Sequence, residues 1–220
     1  MTTPNIPTRQ QYGSSDESVG DWLLLHKREL LWALGALAVI VVGFWFYQRS
    51  QSIKSQRAES AYFQARQAAA AGNLPLAESD LKKVVARYEG TRAGTQAALS
   101  LAQTLFDQKK FKEGIDELKK VEAKASEDFR ASIHVLEADG YEELKDFTAA
   151  AEQYNLAAMA TPFPADKAKY QAGAARDYMA GGKSDQAKAI WTELAKDESS
   201  PEAAEARVRL GELTAKPMKT

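Results

Sequence analysis

The sequence contains no cysteine and only two histidines. Without cysteine there can be no disulfide bond, thiolate catalysis, zinc finger or lipid attachment through an N-terminal cysteine. His26 and His134 lie far apart, and the sequence contains no metal-ligand spacing, phosphate-binding glycine loop or nucleophile-elbow motif. We therefore expect no enzyme activity and no cofactor.

Charge of one sign is not concentrated anywhere in the chain. The 29 basic residues nearly balance the 30 acidic residues, which gives a formal net charge of −1, and the two signs are interspersed. Nucleic-acid binding requires a clustered basic face. We therefore expect no nucleic-acid partner.

The sequence does contain one long uncharged apolar run, residues 30–47, which reads LLWALGALAVIVVGFWFY. At about 1.5 Å per residue, a helix of this length spans roughly 27 Å, close to the hydrocarbon thickness of a bilayer. Aromatic residues suited to the two membrane interfaces stand near its ends. These predicted interface anchors are Trp22, Trp32, Trp45 and Tyr47. We predict one transmembrane helix that contacts the lipid bilayer through residues 30–47.

Two other structures produce similar apolar runs. A buried core helix is disfavoured by the length of this run and by the basic residues that flank it. A cleaved signal peptide usually has a shorter apolar region, and residues 47–50 lack the small-x-small cleavage pattern. We therefore predict an uncleaved signal-anchor, with residues 1–21 as a disordered tail and residues 22–57 as a juxtamembrane segment, transmembrane helix and linker.

Small residues recur at a fixed period beyond the anchor. They form pairs twelve residues apart, and the first members of successive pairs are separated by 37, 36 and 37 residues. The pairs are Ala65/Ala77, Ala102/Gly114, Ala138/Ala150 and Ala175/Ala187, and Gly211 follows Ala175 by 36 residues. Four residues after each second member stands a large side chain, namely Leu81, Leu118, Tyr154 and Trp191. Such spacing places the large side chains on one helix face with the small residues.

This pattern resembles the tetratricopeptide repeat across about residues 58–214. The resemblance implies an all-α fold in which the transmembrane helix precedes an α-solenoid of about four repeats and a capping helix, Pro201 to Ala215. In such arrays each helical pair buries its apolar face by stacking on its neighbours. We place the repeat domain at residues 58–215 and a flexible C-terminus at 216–220. The resemblance also implies that His134 packs its ring at a helix interface.

The resemblance further implies a concave groove lined by the first helix of each repeat. Its predicted partner-binding residues are Tyr62, Arg66, Leu99, Gln103, Phe106, Val135, Asp139, Glu142, Arg176 and Met179, with Asp107 and Glu143 at neighbouring groove positions. A groove of this mixed character suits an amphipathic peptide or helix. Packing between repeats is the alternative role for its apolar members. The basic clamp with which chaperone-tail binders of this fold hold a carboxylate is missing.

The complete arrangement resembles the ancillary subunit of the bacterial SecYEG translocon. Three segments carry the resemblance, namely 43–47, 98–103 and 182–187. It implies a single-pass protein of the bacterial inner membrane with a periplasmic C-terminal domain. Its partners would be Sec translocon subunits, periplasmic chaperones or client peptides. A scaffold for another envelope complex, such as outer-membrane assembly or cell-division coordination, is the alternative function.

Protease accessibility tests the side of the membrane on which the C-terminal domain lies. Arg49, Lys54 and Arg57 slightly outnumber Lys27 and Arg28, so the positive-inside count favours a cytoplasmic C-terminus. The resemblance implies the opposite orientation. We expect protease to degrade the domain in spheroplasts and to leave it intact in unbroken cells. A domain that stays protected until the spheroplasts are lysed would overturn both the localisation and the partners.

Overall fold

The computed structural model describes Trp22, residues 26–198 and residues 200–215. The tails predicted at residues 1–21 and 216–220 lie outside the described residues. Within the described ranges the chain forms helices and no strands, which confirms the all-α class. These helices are α1 (Lys27–Ala70), α2 (Leu74–Arg87), α3 (Arg92–Asp107), α4 (Phe111–Glu122), α5 (Glu127–Glu143), α6 (Phe147–Ala160), α7 (Pro164–Ala180), α8 (Ser184–Leu194) and α9 (Glu202–Thr214).

The chain divides into two compact units, Met1–Ser52 and Ile53–Thr220. In the first unit, α1 carries the apolar run, with an 18-residue window of mean hydropathy 2.2 that is 0% buried inside the protein. The four aromatic residues predicted to lie at the membrane interfaces are each between 55% and 74% exposed. By length and composition alone, this helix can cross a membrane.

The second unit is a series of helical hairpins. The C-terminal part of α1 packs on α2, and the pairs α3–α4, α5–α6 and α7–α8 follow, with α9 packed against α8. The seven alanines of the predicted small-residue pairs are at most 1% exposed. At the Ala102/Gly114 pair the two helices meet directly, because a Cβ atom on Gly114 would stand 3.2 Å from the Ala102 carbonyl oxygen. The small residues therefore let the two helices of a hairpin approach each other closely.

The turns inside the hairpins follow the same period. A residue with positive φ recurs at Gly72, Lys109, Lys145 and Gly182, with φ between 62° and 73°. Glycine adopts this left-handed conformation readily, whereas a lysine pays about 1–2 kcal/mol for it. The hairpins that turn at Lys109 and Lys145 therefore adopt the same turn conformation as those at Gly72 and Gly182, although lysine is less favourable there than glycine.

Three apolar clusters run along the array. Each cluster contains one large side chain of the predicted register. These are Leu81 in the first cluster, Leu118 in the second and Trp191 in the third, and each is 0% exposed. The third repeat differs, because the partly buried Tyr154 stands at this position and the fully buried residues of α6 are all alanines. The buried histidine, aspartate and glutamate side chains of the described residues lie in this part of the array, namely His134 and Glu137 on α5 and Asp177 on α7.

Alanine substitution at two helical glycines tests the close approach. A Cβ atom on Gly114 would meet Phe106 Cε1 at 2.4 Å and Cδ1 at 2.8 Å, while Gly211 has nothing within 4 Å. We expect Gly114→Ala to destabilise the protein. Overpacking costs about 1–3 kcal/mol of unfolding free energy, whereas the higher helix propensity of alanine stabilises by about 1 kcal/mol. Gly211→Ala is the matched control and should stabilise slightly. Thermal unfolding of the full chain in detergent measures both, and stabilisation by both variants would contradict the packing.

Candidate partner-binding groove

A cavity of about 460 Å³ opens between the C-terminal ends of α3 and α5. Its lining consists of Gln103, Phe106, Asp107, Lys109, Phe111, Asp139, Glu142 and Glu143. Four of the predicted groove residues come together here, namely Gln103, Phe106, Asp139 and Glu142. We call this cavity the acidic groove.

The repeat period explains why these side chains converge. Gln103, Phe106 and Asp107 are three and four residues apart on α3, so they share one helix face. The three positions 36 residues later on α5 are Asp139, Glu142 and Glu143, which share the equivalent face of the next repeat. Stacking of equivalent helices places the two triplets on opposite walls of one groove.

The floor of the acidic groove is aromatic. Phe106 is 7% exposed, and its ring centroid lies 5.8 Å from that of Phe111. The Lys109 ammonium, at the groove edge, lies 5.5 Å from the Phe111 ring centroid. The groove therefore offers an apolar surface beneath its charged walls.

The groove walls carry carboxylates that have no cationic partner. Asp107 accepts a hydrogen bond from Gln103 Nε2 at 3.2 Å, and Asp139 accepts one from the Tyr154 hydroxyl at 3.0 Å. Among the described residues, no ion pair involves Asp107, Asp139, Glu142 or Glu143. Burial raises the pKa of Asp139, and burial together with the Asp139 charge raises the pKa of Glu142. The wall formed by α5 is thus crowded with like charge.

A fifth carboxyl group lies against this wall from the next repeat. Asp177, on α7, is 5% exposed, and its carboxyl lies close enough to Glu142 for the two groups to interact electrostatically. Burial, followed by the Glu142 charge, raises the pKa of Asp177 to about 7. Asp177 Oδ2 accepts no hydrogen bond from the described residues. Two carboxyl groups close together can share one proton, and the raised pKa values of Asp177 and Glu142 are those expected of such a pair.

Two predicted groove residues of the first repeat lie apart from the cavity. The Tyr62 hydroxyl is hydrogen-bonded to Ser100 Oγ at 2.9 Å, which connects α1 to α3. The Arg66 guanidinium lies 5.7 Å from the Tyr62 ring centroid, and its side chain is exposed. These contacts stabilise the junction between the first two repeats and leave Arg66 accessible.

The remaining predicted groove residues contact other parts of the array. Arg176 forms an ion pair with Glu205 of α9 at 2.8 Å, beside a smaller cavity of about 120 Å³. Met179 accepts a hydrogen bond from Trp191 Nε1 at 3.3 Å and packs on the third apolar cluster. Leu99 packs on the second cluster, and Val135 is half-buried. The structure brings none of these four into the acidic groove.

His134 packs between three helices with polar partners. It is 7% exposed, its Nδ1 lies 2.9 Å from Gln153 Oε1, and its Nε2 lies 3.6 Å from a Glu122 carboxylate oxygen. The Glu137 carboxylate, which is 1% exposed and lies 3.8 Å from Nδ1, raises the pKa of His134. A second cavity of about 490 Å³ adjoins the ring, and Arg130 also lines it. His134 therefore connects α4, α5 and α6.

Sequence reasoning did not identify Asp177 as part of the site. Its register equivalents in the two preceding repeats, Thr104 and Gly140, are both buried. A charged residue at a position that buries small residues in neighbouring repeats is the signal that could have revealed it. Phe111 and Lys109 also line the cavity and were not among the predicted groove residues.

Known proteins match the chain by family and by structure. The model described as a tetratricopeptide repeat-like domain matches residues 21–137 and 63–164, and one described as a tetratricopeptide repeat matches 173–215. The crystal structure of the Podosopora anserina putative kinesin light chain TPR-like repeats is 17% identical, with a TM-score of 0.55 over 72% of this chain and 86% of that chain. A tetratricopeptide repeat protein from Parabacteroides merdae is 18% identical, with a TM-score of 0.56 over 72% of this chain and 60% of that one. These structural likenesses show the fold alone, and no curated protein matches the chain.

Replacement of Asp177 tests the buried carboxyl pair. Below about pH 4 the folded and unfolded states both hold the proton, whereas between pH 4 and about 7 only the folded state keeps it, so stability falls as pH rises through this window. We expect Asp177→Asn to be more stable than the parent by about 1–2 kcal/mol at pH 8 and no more stable at pH 4. Urea unfolding at both pH values measures this, with exposed Asp185→Asn as the charge-matched control. A stability difference that is the same at both pH values would contradict the assignment.

Proposed function

The chain belongs to the tetratricopeptide repeat-like family, and we propose that it is a membrane-tethered protein-interaction module whose acidic groove holds a partner protein. Tetratricopeptide repeats typically serve as protein-interaction scaffolds. The observation that carries the proposal is the convergence of two residue triplets, 36 positions apart, on one cavity with an aromatic floor. Two walls and an apolar floor can bind a peptide or helix along its length.

The tether in this proposal is the apolar part of α1. The side chains of residues 31–47 are exposed, including the aromatic cluster Phe44, Trp45, Phe46 and Tyr47. Lipid is the environment in which an exposed apolar helix of this length is stable. We propose that residues 30–47 cross the bacterial inner membrane once and hold the repeat domain at the periplasmic face.

The partner that we propose is the Sec translocon with the chaperones that receive emerging chains. The support is the resemblance in the three segments 43–47, 98–103 and 182–187 to the ancillary translocon subunit. A repeat domain tethered beside a translocation channel would be at high effective concentration for partners at its exit. The protein would then link emerging proteins to periplasmic chaperones.

Photocrosslinking in native membranes tests this function. A photoreactive amino acid replaces Gln103, which is exposed and lines the groove, and separately replaces Glu152, an exposed residue of α6 outside the cavity lining. We expect Gln103 to capture Sec subunits or periplasmic chaperones and Glu152 to capture few of them, because contact with the partner occurs in the groove. Tyr62 and Phe106 provide two further probe positions.

The results separate the two parts of the proposal. Equal capture from Gln103 and Glu152 would contradict binding in the groove. Capture of only outer-membrane assembly or cell-division proteins from Gln103 would contradict the Sec assignment and leave the groove as the binding site.

A further inference from the structure

The acidic groove combines four carboxylates with one lysine and two phenylalanine rings. We propose that it recognises a segment of the partner protein in which a lysine or arginine stands beside an apolar residue. This inference rests on the proposed function, because it names the chemistry of the partner that the groove holds. The charges, the buried Asp177 and the aromatic floor support it separately.

The groove carboxylates contrast with carboxylates elsewhere in the array. Glu78 contacts Lys82 Nζ at 2.7 Å and Lys110 Nζ at 2.9 Å, and these two ammonium groups lower its pKa to about 2. Asp139 and Glu142 have no such partners among the described residues, and their pKa values are raised. A cation from outside the chain would supply the charge-assisted hydrogen bonds that the array itself provides to Glu78.

Asp177 adds a buried carboxyl group to the groove carboxylates. It is nine-tenths buried and interacts with Glu142, which lines the groove, and its Oδ2 accepts no hydrogen bond from an N–H or O–H group of the described residues. Buried polar atoms in folded proteins are normally paired. A guanidinium or ammonium bound to Glu142 supplies the positive charge that the carboxyl pair lacks and allows their shared proton to leave.

The aromatic floor accounts for the apolar part of the ligand. Phe106 and Phe111 lie side by side beneath the carboxylates, so an aliphatic side chain next to the cation would contact their rings. A cation placed over such a ring is further stabilised by the ring quadrupole. Among the described residues, no three His, Asp or Glu side chains are placed to hold a metal ion. An organic cation on a peptide therefore fits the groove better than a metal.

Binding of a cation should be coupled to the loss of the shared proton. The charged and titratable groups that act on Asp177 are Glu142 and Asp139 of α5, Tyr154 of α6 and Arg176 of its own helix, which is paired with Glu205 of α9. The negative groups keep the proton in place until a cation replaces it. Affinity for a basic segment should therefore rise between pH 6 and pH 8.

Fluorescence anisotropy with the full chain in detergent tests this inference. The probe is a fluorescein-labelled peptide of alternating arginine and leucine, and its counterpart carries glutamine in place of each arginine. We expect the arginine peptide to bind at least about tenfold more tightly than the glutamine peptide. Its affinity at pH 8 should be at least about threefold higher than at pH 6.

Two triple variants locate the binding. Asp139→Asn, Glu142→Gln and Glu143→Gln together should abolish the preference for arginine. The matched control, Glu113→Gln, Asp116→Asn and Glu152→Gln, removes the same charge from exposed positions outside the groove lining and should retain the preference. Equal affinity for the two peptides, or an equal loss in both triple variants, would overturn the inference. Continued crosslinking of a partner from Gln103 would show that the proposed function survives that failure.

Discussion

The close approach of the two helices in each hairpin is the constraint on which the array depends. Gly114 and Gly140 leave no room for a larger side chain, because Phe106 occupies the space beside both of them. Because both glycines bound its ring, Phe106 is fixed at the base of the groove between α3 and α5. The packing requirement of the hairpins and the shape of the acidic groove therefore have one cause.

The chemistry of the groove arises from a change in the interior of the array. The second apolar cluster ends at Ile133 and the residues packed on it, and the third begins at Ala151. Only alanines are buried on α6 between them, and Tyr154 stands where large apolar residues stand in the other repeats. Asp177 occupies a position that holds Thr104 and Gly140 in the two preceding repeats. Such polar interiors are costly unless every group is paired. Asp177 Oδ2 and Glu137 Oε1 are the buried side-chain oxygens of the described residues that accept no hydrogen bond.

The period of small residues was sufficient to predict the helices and to bring four of the ten predicted groove residues together. Gln103, Phe106, Asp139 and Glu142 converge because equivalent positions of successive helices must stack, and this follows from residue numbers alone. The direction of Met179 depends on Trp191, twelve residues further along the chain, and Asp177 meets Glu142, 35 residues before it. Contacts of this kind depend on rotamers and on the partners available in another helix, which a repeat pattern does not encode.

Lys109 and Lys145 show why the groove does not neutralise itself. Each occupies the strained turn of its hairpin, and each ammonium lies within 6 Å of the centroid of the phenylalanine ring two residues later, 5.5 Å for Phe111 and 5.9 Å for Phe147. The attraction between cation and ring, about 0.5–1 kcal/mol at an exposed site, partly offsets the backbone strain. The same contact occupies the ammonium of Lys109 at the groove edge. The turn thus holds the Lys109 ammonium at the Phe111 ring, and the groove carboxylates keep their negative charge without an ion pair from this lysine.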